Sequence, residues 1–194
     1  MSGITPSQTV GPYFAYCLTP SRYPLHDVFS TDLTVPGIEG ERIVVTGRVF
    51  DGDGLGISDA MVEIWQADAK GTYDHGSAST VKSNSGFKGF GRAETTADGT
   101  YTFTTVKPGR VAGADGKLQA PHLAVTVFSR GMLTHLFTRI YFDDEASNAE
   151  DQVLNLIPAD RRATIIAKAH KGSPKEYHLD IRIQGGDETV FFEA

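Results

Sequence analysis

Cys17 is the only cysteine of the 194-residue chain, so no disulfide can close within it and nothing points to an oxidising compartment. Positive charge is scarce as well. Lys and Arg total 18 against 24 Asp and Glu, a net charge of −6, with no basic run. Nucleic acid and anionic membrane surfaces are therefore not expected as partners, because both are held by clustered positive charge. Long apolar runs are missing too, and no stretch approaches the ~20 residues needed to span a bilayer. The opening "MSGITPSQTVGPYF" has neither a basic start nor an apolar segment, which argues against a secretory signal and makes the cytoplasm the expected location.

Several catalytic signatures are absent. The chain has no GxSxG elbow, no Walker loop and no CxxC pair, and its one thiol lies in an aromatic stretch without a basic neighbour. "DGDGLG" (51–56) looks like part of a calcium loop but lacks the spaced ligands and closing glutamate, so a turn is expected there.

What remains is a dense series of short strands. "RIVVTGRVF" (42–50), "AMVEIWQAD" (60–68), "FGRAETT" (90–96), "TYTFTTVKPG" (100–109), residues 121–129, "HLFTRIYF" (135–142), "EYHLDIRIQ" (176–184) and "ETVFF" (188–192) are β-branched or alternate in polarity, with glycine-rich turns between them. That spacing predicts an all-β sandwich in one domain, 1–194. Residues 144–170, with Pro158 near the start of their second half, read as a short helical insertion. Residues 1–40 carry Pro, Gly, Ser and Thr without periodicity, yet also Tyr13, Phe14, Tyr16, Tyr23 and Phe29. They are expected to form an arm that packs on the core, 41–194, or on a partner.

Candidate chemistry sits near strand ends. In "LQAPHLAVTVF" (118–128), alternation puts His122, Ala124, Thr126 and Phe128 on one face and Leu123, Val125 and Val127 on the other. Tyr73 follows a strand exit, in "QADAKGTY", where its phenol projects from the sheet end. Phenolate and imidazole together suit ferric iron. Two such residues cannot close a four-ligand site, and neither His75 nor His135 forms a recognisable ligand spacing with them. Spacing alone leaves His122 open between half a metal site, the relic of one and a core histidine.

Longer motifs resolve that choice. "TPSQTVGPYF" (5–14), "VEIWQADAKGTY" (62–73), "GTYTFTTVKPG" (99–109), "APHLAV" (120–125), "TRIYFDDE" (138–145) and "DIRIQGGDETVFF" (180–192) resemble the intradiol ring-cleaving dioxygenases, and do so over nearly the whole chain. The resemblance implies a β-sandwich and, in the family's iron-bearing chains, Fe(III) held by two tyrosines and two histidines. Their matching positions are Tyr73, Val111, His122 and Ala124, and an assisting arginine is matched by Gln119. Val and Ala offer no lone pair, so the resemblance implies that this chain binds no metal itself. His122 and Tyr73 are then relics, and the Fe(III) belongs to a homologous beta subunit in a hetero-oligomer of repeated alpha–beta pairs.

For an alpha-type chain the resemblance further implies that Thr9, Gly11, Pro12 and Tyr13 stand at the mouth of the partner's site. Arg130, in "FSRG", would orient the carboxylate of 3,4-dihydroxybenzoate (protocatechuate), which O2 opens to 3-carboxy-cis,cis-muconate. Two rivals are a self-sufficient iron enzyme using Tyr73, His122 and His135, and a β-sandwich that only binds a carrier, a carbohydrate or a protein.

Overall fold

A computed structural model describes residues 17–20, 23, 26, 29–73, 86–113, 115–172 and 175–193. Eleven strands are defined among them: β1 Arg42–Phe50, β2 Met61–Trp65, β3 Phe90–Glu94, β4 Thr100–Val106, β5 Val111–Ala112, β6 Leu118–Gln119, β7 His122–Phe128, β8 Leu136–Phe142, β9 Ile166–His170, β10 Lys175–His178 and β11 Ile181–Arg182. Their pairing runs β11-β1-β10-β9-β8-β7-β2-β3, with β4 also on β1 and a separate β5-β6 hairpin. The all-β sandwich expected from strand spacing is the architecture found.

Two halves share one core. In the first, β4 pairs antiparallel with β1, and β10 lies parallel to β1's other edge. In the second, β7 runs antiparallel between β2 and β8. The halves join where β8 meets β9 in parallel, Tyr141 opposite Ile166. Ile43, Val45, Val49 and Phe103 from one half, and Val62, Ile64, Leu123, Val125 and Val127 from the other, are buried in a single cluster. These are the alternate positions of each strand, so period-2 patterning built the interior. Buried Gln66 is satisfied: it accepts from Thr105 Oγ1 at 2.8 Å and donates to Val106 O at 2.9 Å.

One glycine is sterically required. A Cβ at Gly47, inside β1, would lie 1.7 Å from Leu179 O, the carbonyl that accepts the buried Tyr101 hydroxyl at 2.7 Å. Close beside it, the Asp180 carboxylate accepts Arg48 N–H at 3.0 Å. That side chain replaces a ladder bond, which is why "EYHLDIRIQ" forms two short strands, β10 and β11, instead of one.

The helical expectation for 144–170 needs correction. Ala146–Glu150 and Arg162–Ile165 are 3₁₀ turns and Gln152–Leu156 is a short α-helix, but Ile166–His170 is strand β9. Its residues gain ladder partners from β8 on one side and β10 on the other, which outweighs local helix preference. "ETVFF" reduces to one bridge, Phe137 with Phe192. "DGDGLG" is a turn, with Asp51 Oδ1 accepting from Asp53 N at 3.0 Å and Leu55 N at 2.8 Å.

Candidate functional site

The outer face of β2, β7 and β8 gathers the positions singled out above. Strand register sets Trp65 opposite Ala124, Ala124 opposite Arg139, and His122 opposite Tyr141. Tyr73, just beyond β2, stacks on Trp65 with ring centroids 5.9 Å apart and planes 12° apart. Val111 pairs with Gln119 in the β5-β6 hairpin, which Arg110 braces by donating from Nη2 to Leu118 O at 3.0 Å. Tyr73, Val111, His122 and Ala124 therefore fall in one neighbourhood.

Its centre is a hydrogen-bond chain that ends on a cation. Arg139 Nη1 donates to Gln119 Oε1 at 2.8 Å and to Tyr141 Oη at 3.1 Å. The Tyr141 hydroxyl donates to Asp151 Oδ1 at 3.1 Å. Asp151, fully buried, accepts Leu154 N at 2.8 Å as a helix cap and Ala120 N at 2.7 Å on its other oxygen. Ala120 O in turn accepts from His122 Nδ1 at 2.8 Å. A carbonyl can only accept, so Nδ1 of His122 carries a proton. Burial, helped by the Arg139 charge, pushes the His122 pKa down to about 4. Burial likewise raises Tyr73, against the pull of Arg139, so both keep their uncharged forms at neutral pH.

This donor set does not fit a ferric ion. Val111 and Ala124 carry no lone pairs, so two of the four ligand positions have no donor, and Tyr73 and His122 alone cannot close the site. The Arg139 guanidinium adds like charge to the same neighbourhood. The alternative set of Tyr73, His122 and His135 is not assembled either. His122 faces Tyr141 at one end of the β7–β8 pair, whereas the His135 ring lies against Phe128 and Phe137, at 5.4 and 4.5 Å, at the other.

Arg130 is also remote from this neighbourhood. It follows the far end of β7, which at ~3.3 Å per residue lies roughly 20 Å from His122. Its side chain is 72% exposed and its Nε pairs with Asp59 Oδ2. Thr9, Gly11, Pro12, Tyr13 and His75 lie outside the described residues.

A family model described as Dioxygenase matches residues 9–185. The chain is 53% identical over 197 aligned residues to the protocatechuate 3,4-dioxygenase alpha chain of Burkholderia cepacia, spanning 98% of this chain and 97% of that one. The chain belongs to the intradiol ring-cleaving dioxygenases. Among members of this dioxygenase family, it is also 33% identical to the B. cepacia protocatechuate 3,4-dioxygenase beta chain, over 77% of this chain and 67% of the relative. The dioxygenase domain of a carbohydrate-binding fusion from Streptomyces sp. SirexAA-E superposes with a TM-score of 0.63 at 25% identity, covering 95% of this chain and all of that one.

Pattern reading missed Arg139, Tyr141 and Asp151. The first two alternate within "TRIYFDDE", but only the β7–β8 register tells which face they share with His122. Asp151 carried a cap signal, an Asp three residues before Leu154, without revealing that its second oxygen reaches Ala120.

Proposed function

We propose that this chain is the subunit without iron of a two-chain intradiol dioxygenase, the counterpart of a protocatechuate 3,4-dioxygenase alpha chain. With a homologous beta subunit it forms an enzyme that opens 3,4-dihydroxybenzoate between its two hydroxylated carbons. Both atoms of O2 enter the product, 3-carboxy-cis,cis-muconate. The observation that carries this reading is the 53% identity to an alpha chain along nearly the full length of both. The misfit of the donor set around His122 supports it, since the Fe(III) then belongs to the beta subunit, which supplies the redox chemistry.

This chain contributes pocket walls and orientation. The resemblance assigns Thr9, Gly11, Pro12 and Tyr13, outside the described residues, to the mouth of the partner's site. Arg130 gives its exposed guanidinium edge to the substrate carboxylate. Asp59, on its Nε, fixes the direction of the side chain, and charge-assisted bonds of this kind contribute roughly 1.5–3 kcal/mol when partly desolvated. The whole chain, arm included, acts as one unit in a cytoplasmic alpha–beta assembly. Among the described residues no helix is long and apolar enough to cross a membrane.

Oxygen uptake with protocatechuate tests this. The iron-bearing beta chain is measured without and with this chain, and activity is expected only with both. An Arg130→Ala complex is expected to keep its iron and show a raised KM. Full activity of the beta chain alone would overturn the subunit reading, and unchanged kinetics in the Arg130 variant would remove that residue from the pocket.

A further inference from the structure

Beside the Arg139 chain, the outer face of β2, β7 and β8 encloses a cleft of about 390 Å³ whose lining includes Trp65, Phe90, Ala124, Phe137, Arg139 and Phe192. Four aromatic rings form walls, and Ala124, where a longer side chain would fill the space, keeps the floor low. Glu63 also reaches the cleft. Its carboxylate is already neutralised by Arg92, whose Nε and Nη2 donate to Oε1 at 2.7 and 2.5 Å. Among the described residues no carboxylate pairs with Arg139. Its hydrogen bonds to Gln119 and Tyr141 both leave from Nη1 and both end on neutral oxygens. The Nε–H and Nη2–H edge, the fork that matches a carboxylate, takes no part in them. The guanidinium is also preorganised, because Tyr141 is tied to Asp151 and Asp151 to two backbone amides.

We infer that this cleft is a binding site for a small aromatic carboxylate, its ring between the aromatic walls and its anionic group on Arg139. A fixed positive charge among apolar walls suits an anion and not a metal cation. The site belongs to this chain alone and is distinct from the Arg130 end of β7, so it stands whether or not the two-chain reading does.

Trp65, the only tryptophan of the chain, lines the cleft and is a built-in reporter. The full-length chain is titrated with benzoate while tryptophan emission is recorded, in parallel with benzamide, which keeps the ring without the charge, and acetate, which keeps the charge without the ring. A saturable emission change with benzoate is expected, at least ten-fold weaker for benzamide and for acetate. Arg139→Gln, which retains a donor for Tyr141, is expected to weaken benzoate at least ten-fold with an unchanged melting temperature, and Arg139→Lys to weaken it less. Absence of a saturable response to benzoate overturns the site. So does a response that Arg139→Gln leaves intact, or one that acetate reproduces. Should the Arg139 variants fold poorly, Ala124→Leu fills the cleft floor without touching the cation. It is expected to abolish the benzoate response, and a retained response contradicts the placement.

Discussion

Two cation-centred networks occupy different parts of the sandwich, and they are built on opposite plans. Around Lys107, charge is balanced. Its Nζ meets Asp144 Oδ1 at 3.0 Å and Glu145 Oε1 at 2.6 Å and lies 5.4 and 5.3 Å from the Phe142 and Tyr177 ring centres. Lys175 and the Tyr177 hydroxyl complete the coordination of Asp144. Around Arg139 the direct partners are neutral, and the carboxylate at the end of the hydrogen-bond series, Asp151, stands behind Tyr141. A closed, balanced cluster ties elements together and has nothing left to offer a ligand. A cation held by neutral groups keeps its field and part of its donor fork for something that arrives from outside. The first arrangement is structural; the second has the form of a binding site.

The sharpest way to probe the Arg139 side is to remove its anchor. Asp151→Ala leaves the amides of Ala120 and Leu154 and the hydroxyl of Tyr141 without their shared acceptor in a buried place. At ~1–3 kcal/mol for each stranded buried group, a loss of about 4 kcal/mol is expected in urea unfolding. A loss below ~1 kcal/mol would mean that the chain of bonds is not what holds the guanidinium.

Acid separates the networks. His122, with its pKa pushed from 6.5 down to about 4 by burial and then by Arg139, resists a proton that the unfolded chain accepts. Its contribution is complete above pH 6.5 and is lost as pH falls through about 4, on the order of 2–3 kcal/mol in all. His122→Gln is expected to flatten the stability curve between those values. A curve as steep as that of the parent would place the titration elsewhere.

Lys107→Met keeps the apolar stem against Phe142 and Tyr177 and removes only the charge. Because Lys175 still holds Asp144, the expected cost is smaller, ~1 kcal/mol by thermal or urea unfolding. The smallest effect belongs to Asp144. Its burial would raise its pKa, but hydrogen bonds from Lys175, Lys107 and Tyr177 outweigh that and hold it at about 2, below the ordinary 3.8. This stability is present above pH 3.8 and lost toward pH 2. Solvent screening keeps it under ~1 kcal/mol, and it should vanish in the Lys107→Met, Lys175→Met double variant.

Most of the fold was legible because it rests on period-2 alternation: β1 has the bounds read from sequence, and β2, β4, β7 and β8 differ from theirs by a few terminal residues. The failures share a cause. Strand β9 sits in a segment with helix-like composition and is made a strand by its neighbours on both sides; β5 and β6 are two residues each, too short to show alternation. The break between β10 and β11 comes from one side chain, Asp180, reaching across to Arg48. The site divided likewise. Tyr73, Val111, His122 and Ala124 were visible because they stand in long motifs, while Arg139 acquires its meaning only through pairing with Ala124 and bonding to Gln119, contacts set by register and tertiary packing.

The most direct test of the account is a metal count. The chain is purified alone after exposure to Fe(III), and again after co-expression with an iron-bearing beta chain; iron per polypeptide, visible absorption and oxygen uptake with protocatechuate are measured on both. No iron, colour or activity is expected for the chain alone, and one iron per alpha–beta pair with full activity for the complex. Stoichiometric iron with a phenolate-to-Fe(III) band in the isolated chain would contradict it, and would mean that Tyr73 and His122 still belong to a working metal site.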